Sequence, residues 1–172
     1  MIVEFTYRGW WTTFHGVVLG GLFTLALVIV LWELVQLREE DITDDGAAAR
    51  LRLLRRALIL TALVAWATVV VGTWVVDPWF HLHQATSPLE LLEARPRLAF
   101  WQDLVMEWKE RISWTSALAA SAAAFMGAYY GDELRWNRRV RIGVVSLFVF
   151  ALGAALAAGA MGMLLTKIAP VT

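Results

Sequence analysis

The chain of 172 residues contains no cysteine and only four prolines, and its acidic and basic residues are equal in number. Without cysteine it cannot form a disulfide, an iron–sulfur cluster or a thiolate metal site. A net charge of zero gives no reason to expect nucleic acid as a partner. The sequence also lacks a nucleophile motif, a phosphate-binding loop and a zinc-protease signature. We therefore do not expect an enzyme that acts alone.

Charged residues are scarce as well. They make up 17% of the chain, hydrophobic residues make up 59%, and the mean hydropathy is +0.60. A soluble domain has about 25% charged residues. A helix that spans a bilayer needs about 20 consecutive apolar residues. Four stretches without Asp, Glu, Lys or Arg meet this requirement, at 9–32, 57–76, 112–131 and 142–166.

These stretches predict an all-α fold, an integral membrane four-helix bundle that forms a single domain. Its helices are expected at about 9–36, 52–76, 108–131 and 140–167. Ser87 followed by Pro88 is typical of a helix start. Apolar and aromatic residues recur at helical spacing from Phe100 to Trp108, which predicts an amphipathic interfacial segment between the second and third helices. Small residues in the third and fourth helices predict that these two pack closely.

The distribution of arginine predicts the orientation. Nine of the fifteen basic residues lie in or next to the two connections at 37–51 and 132–141. Basic residues in short loops favour the cytoplasmic side. We therefore expect a multi-pass protein of the bacterial inner membrane with both termini in the periplasm. In this orientation 37–51 is a cytoplasmic loop and 77–107 is a periplasmic segment.

All three histidines lie on the predicted periplasmic side, together with charged residues that precede the third helix. The candidate site residues are His15, His81, His83, Glu107, Glu110 and Arg111. Two of the histidines could ligate a b-type haem from facing elements. Alternatively, His15 and a carboxylate could hydrogen-bond a quinone or handle a proton. In a third interpretation, His15 only donates to a carbonyl or to a carboxylate of segment 107–111.

Three short motifs carry a resemblance. They are W-x-x-x-H-G at 11–16, M-E-W-K-E-R at 106–111 and K-I-A-P-V at 167–171. The chain resembles an uncharacterised group of bacterial four-helix inner-membrane proteins in which the second motif reads M-E-W-K-E-H. The resemblance implies a subunit with a histidine at each of two helix starts, as a cofactor site would need. Here Arg111 replaces the second histidine, and arginine can pair with an acid or a propionate but cannot ligate iron.

We expect a membrane subunit of a larger bacterial complex of electron transfer, respiratory or photosynthetic. Its partners are then the lipid bilayer and other membrane subunits, with a haem b or a quinone near the periplasmic face. The alternative is a structural or assembly subunit without a cofactor. A third class is a small-molecule transporter. Membrane spans that contain neither charged residues nor proline argue against this class.

Overall fold

A computed structural model describes residues 6–37, 44–82 and 87–169, and within these ranges all regular secondary structure is helical. Four helices are long and two are short. In chain order they are α1 (Tyr7–Val35), α2 (44–80), α3 (Pro88–Glu93), α4 (99–130), α5 (Glu133–Trp136) and α6 (Arg138–Ile168).

Local sequence explains where the helices begin. The predicted loop 37–51 is helical from residue 44 onward, and its last five residues, 47–51, are Ala, Arg and Leu, which favour helices. Helix α6 starts at Arg138, where the Asn137 side chain caps the helix by accepting hydrogen bonds from two backbone amides. The predicted start of α3 is confirmed, since Ser87 Oγ accepts from the Glu90 amide at 3.3 Å.

Three helices are long and apolar enough to cross a membrane: α1, residues 48–80 of α2, and α6. Helix α4 is not among them, although its α-helical part, Glu107–Tyr130, has 24 residues. Its Ala, Ser, Gly and Tyr residues are less hydrophobic than the Leu and Val residues of the other three helices. The fourth predicted span therefore stays a prediction.

Each long helix packs mainly against two others, in the cyclic order α1, α2, α4, α6. Leu27, Leu58, Ala120 and Phe148 are completely buried, one from each long helix, and form the centre of the core. The predicted close pairing of the last two long helices, α4 and α6, is confirmed. Small side chains let the two backbones approach closely enough for a direct hydrogen bond between the helices, which is described below.

A serine joins α4 to α6. The hydroxyl of Ser116 donates to the backbone carbonyl of Ala151 at 2.8 Å, and both residues are buried. On the same side of α4, Ala117 and Ala120 are completely buried. A hydroxyl in an apolar interface is stable only with such a partner, so the bond also fixes how the two helices are aligned.

The segment predicted to be amphipathic belongs to α4. Phe100, Leu104 and Trp108 are exposed along one side of this helix, whereas Met106 is buried. Met106 packs with Phe80, Leu92 and residues near the end of α6 in a second, smaller core. The position of this segment relative to a membrane surface stays a prediction.

The helices define two ends of the molecule. At one, which we call the basic end, Arg50 pairs with Glu33 at 2.9 Å and Arg141 donates to the Leu37 carbonyl at 3.0 Å. At the other, which we call the polar end, α1 and α4 begin while α2 and α6 finish. The polar end contains the residues described next.

Candidate functional site

Three of the long helices contain a π-helical turn, and all three turns lie at the polar end. They comprise Phe14–Leu19 in α1, Gly72–Val76 in α2 and Trp101–Met106 in α4. The hydrogen bonds of a π turn run from residue i to i+5. Such turns are rare and occur mostly as single turns within α-helices. Such turns occur frequently at functional sites. Their coincidence at one end indicates where to look for the site.

A polar cavity lies next to these turns, between α1, α2 and α4. Its volume is about 30 Å³, which is room for roughly two water molecules. The lining residues are His15, Val69, Gly72, Thr73, Asp77, Lys109, Glu110, Ser113 and Trp114. Four of these side chains can carry a charge. A small cavity lined by so many polar groups suits water or protons.

His15 lies flat against the backbone of α2. A Cβ atom at Gly72 would be only 2.6 Å from the His15 Cε1 atom, so a glycine is required beneath the ring. The imidazole donates a hydrogen bond to the backbone carbonyl of Thr68, while its Nδ1 atom is buried without a partner. This Nδ1 atom is therefore available to a donor within the cavity.

Asp77 and Glu110 bring two carboxyl groups together across the α2–α4 interface. The two side chains are close enough to interact directly. Two carboxylates repel each other, and a proton on one of them would form a hydrogen bond to the other. Glu110 Oε1 is buried without a hydrogen-bond partner, whereas Asp77 Oδ1 lies 3.1 Å from His81 Nδ1. With His15 Nδ1, the cavity residues that the structure describes thus carry two buried acceptor atoms that lack a donor.

Lys109 lines the cavity, and its amine, when protonated, is attracted to both carboxyl groups. Its aliphatic stem packs on α6, where a Cβ atom at Gly162 would lie 3.4 Å from the Lys109 Cε atom, an ordinary contact distance. With one proton on the carboxyl pair, the pair carries one negative charge, which an ammonium group at Lys109 would neutralise.

Tryptophans form the wall of the cavity on the apolar side. Trp114 lines the cavity and makes edge contacts with Trp66 and Trp74, at ring distances of 5.5 and 6.0 Å. The indole of Trp66 donates to Ser121 Oγ at 2.8 Å. Trp114 is thus the aromatic residue of the cavity lining, and it is held by contacts with two further indole rings.

Two of the candidates predicted from the sequence line the cavity: His15 and Glu110. His81 lies just outside it, 3.1 Å from Asp77 through its Nδ1 atom. Glu107 and Arg111 instead form an exposed ion pair with each other, at 3.1 Å, and are not part of the lining. His83 lies outside the described residues.

Sequence reasoning missed Asp77, Lys109 and Gly72 as site residues. A signal was present on α2, where Val69, Thr73 and Asp77 are four residues apart and so share one helix face. For Lys109 the only signal was its position beside Glu110 at a helix start. Nothing in the sequence indicated that Gly72 lies beneath an imidazole from another helix.

Neither a haem nor a quinone fits the cavity with these side chains in place. Pockets for ligands of drug size measure roughly 300–1,000 Å³, against about 30 Å³ here. Across the described part of the chain, no three His, Asp or Glu side chains are grouped to hold a metal ion.

The fold and the site together define a class, that of helical proteins with helices able to cross a membrane and a partly buried polar cluster at one end. Comparison of the chain with family models, with curated proteins and with solved structures finds no match.

Proposed function

We propose that this chain is an integral membrane protein whose polar end binds and exchanges protons. The observation that carries the proposal is the close pair of carboxyl groups from Asp77 and Glu110, in a cavity that also contains His15 and Lys109. Groups that share a proton and face both a cation and unpartnered acceptors can gain or lose that proton with little rearrangement. Water in the cavity would connect the carboxyl pair to His15.

Four helices cross the bilayer in this proposal: α1, α2, α4 and α6. The three strongly apolar helices support it, as does the position of α4, which packs against both α2 and α6 and is in contact with them along its small residues. The polar end faces the periplasm of a bacterium, because the arginines gather at the opposite end.

We further propose that the protein works as a subunit of a larger complex of electron transfer. Because the cavity is too small for a haem or a quinone, the redox group belongs to a partner, and this chain contributes the proton site. Exposed apolar side chains along α1, such as Leu22, Leu25 and Ile29, offer a surface for another membrane subunit or for lipid. The alternative is a structural subunit without a cofactor, and the small volume of the cavity is compatible with this function too.

Infrared spectroscopy of the protein in lipid nanodiscs tests the proton site. A protonated carboxyl group has a C=O stretching band that an ionised carboxylate lacks. We expect such a band at neutral pH, and we expect Glu110→Gln and Asp77→Asn each to remove it. In either variant the remaining carboxyl group has no acid to share a proton with and ionises beside Lys109.

Glu93→Gln is the matched control, because Glu93 is an exposed acid on α3 outside the cavity. It should leave the band unchanged. A wild-type spectrum without the band, or a band that survives both cavity substitutions, would contradict the proposal. For the wider role, the complex purified with its partners should lose electron-transfer rate in Glu110→Gln, while a purely structural subunit should retain it.

A further inference from the structure

His81 lies between the cavity and the exterior of the polar end. It follows the last turn of α2, where its side chain is 38% exposed, while that of Asp77 is 26% exposed. Asp77 in turn interacts with Glu110 inside the cavity. His81 therefore lies on the exterior side of Asp77, which lines the cavity together with Glu110 and His15.

The contacts of the His81 ring suit a group that both accepts and donates protons. Its Nδ1 atom lies 3.1 Å from Asp77 Oδ1 and 3.2 Å from the Asp77 backbone carbonyl. Its Nε2 atom lies 3.5 Å from the amide nitrogen of Gln102. With the proton on Nδ1, the ring donates to Asp77 and accepts from Gln102.

Gln102 can serve the other tautomer too. Its Oε1 atom is buried without a hydrogen-bond partner. Rotation of the amide by half a turn exchanges its oxygen and nitrogen, so that Oε1 accepts from Nε2 once this atom is protonated. A neighbour that satisfies both tautomers removes the energetic cost of changing between them.

From this geometry we infer that His81 carries protons between external water and the Asp77–Glu110 pair, an inference that rests on the proposed function. In the inward step, Nε2 of His81 takes a proton from a hydronium ion and the ring becomes an imidazolium. The Nδ1 proton then passes to Oδ1 of Asp77, which leaves a neutral ring protonated on Nε2. One proton enters and one is delivered, so charge and atoms balance.

The surrounding charges are compatible with this route. Besides Asp77 on its own helix, His81 faces Glu110 on α4, and the two attract each other when the ring is protonated. Lys109 lies beyond Glu110 on the cavity side. The exposed acid Glu107 is neutralised by Arg111.

A purely structural role is the competing explanation, because the ring also caps the end of α2 through the Asp77 carbonyl. A pH jump followed by time-resolved infrared spectroscopy in nanodiscs separates the two. We expect the intensity of the carboxyl band to reach its new equilibrium quickly in the wild-type protein. His81→Ala should lower the rate of this change roughly a hundredfold, which is the size of effect that a positioned acid–base group contributes. The amplitude of the band should stay the same.

Free imidazole provides the decisive readout. It should restore the rate of His81→Ala, since it can occupy the vacated space and relay protons, whereas a cap has no such rescue. His81→Gln, which keeps a donor for the Asp77 carbonyl but cannot be protonated, should fold normally and be slow. Unchanged rates in both variants, or slow rates that imidazole does not restore, would overturn the inference.

The two proposals fail in different ways. If the wild-type protein shows no carboxyl band, the proposed function fails and the role of His81 fails with it. If the band is present and responds to Glu110→Gln, but its rate does not depend on His81, only the route is refuted.

Discussion

Gly72 and His15 should be energetically coupled, because the imidazole occupies the space that a side chain at position 72 would need. A Cβ atom there would lie 2.6, 3.1 and 3.3 Å from three atoms of the ring. Carbon atoms in good contact are about 3.5–4.0 Å apart, so the ring must retreat by about 1 Å. We expect Gly72→Ala to destabilise the protein by about 1–3 kcal/mol, the usual cost of overpacking.

A double-mutant cycle with His15→Ala isolates this contact. When the ring is absent, an alanine at position 72 has space, and the gain in helix propensity from replacing glycine is about 1 kcal/mol. Gly72→Ala should therefore be neutral or stabilising in the His15→Ala background. The coupling free energy is the difference between the two costs and should lie at about 1–4 kcal/mol, which overlaps the range for residues in contact.

The assay is unfolding of the purified protein in mixed micelles of lipid-like detergent and dodecyl sulfate, followed by circular dichroism. Gly16→Ala is the matched control, since nothing lies within 4 Å of a Cβ atom at that position. It should leave the free energy of unfolding unchanged or raise it. If Gly72→Ala is equally costly with and without His15, the ring does not lie over Gly72, and the geometry described for the site is refuted.

Two further predictions concern stability. Ser116→Ala should lower the free energy of unfolding by about 0.5–1.5 kcal/mol, because it removes the hydroxyl that donates to the Ala151 carbonyl. The control is Ser146→Ala, a substitution at an exposed serine of α6. If the two variants give the same unfolding curves, the prediction is wrong. Arg141→Met should lower the free energy of unfolding by about 2–3 kcal/mol, because its guanidinium nitrogen Nη1 donates to three backbone carbonyls at 3.0–3.5 Å. The control is Arg138→Met, at an exposed arginine, which should have little effect on the melting temperature. Equal losses of stability in both variants would refute the structural role of Arg141.

The sequence predicted the long helices because apolar composition and length act locally. A charge-free stretch of 20 residues is helical in an apolar environment whatever its neighbours are. The bounds depended on details that composition does not resolve. Helix α2 begins at residue 44 rather than 52, and the Ala, Arg and Leu residues at 47–51 extend it beyond the apolar stretch. Helix α6 begins at Arg138 because the side chain of Asn137 caps it.

The candidate site was predicted in part. His15 and Glu110 stood out because a histidine and an acid at the ends of apolar helices are uncommon. Asp77 and Lys109 could not be selected with equal force, since each is an ordinary charged residue at a helix end. Their importance comes from contacts between residues far apart in the chain, which depend on how the helices are rotated about their axes. The sequence contains no direct measure of that rotation.

The π-helical turns determine this rotation. Each successive residue of an α-helix turns the chain by about 100°, and a π turn spreads its residues over a wider loop. The residues before and after Phe14–Leu19 therefore do not continue the same 100° repeat, although they belong to one continuous helix. The same holds on the two sides of Gly72–Val76 and Trp101–Met106. A helical wheel drawn through the apolar part of α1, α2 or α4 therefore changes its angular repeat where it passes through the π turn.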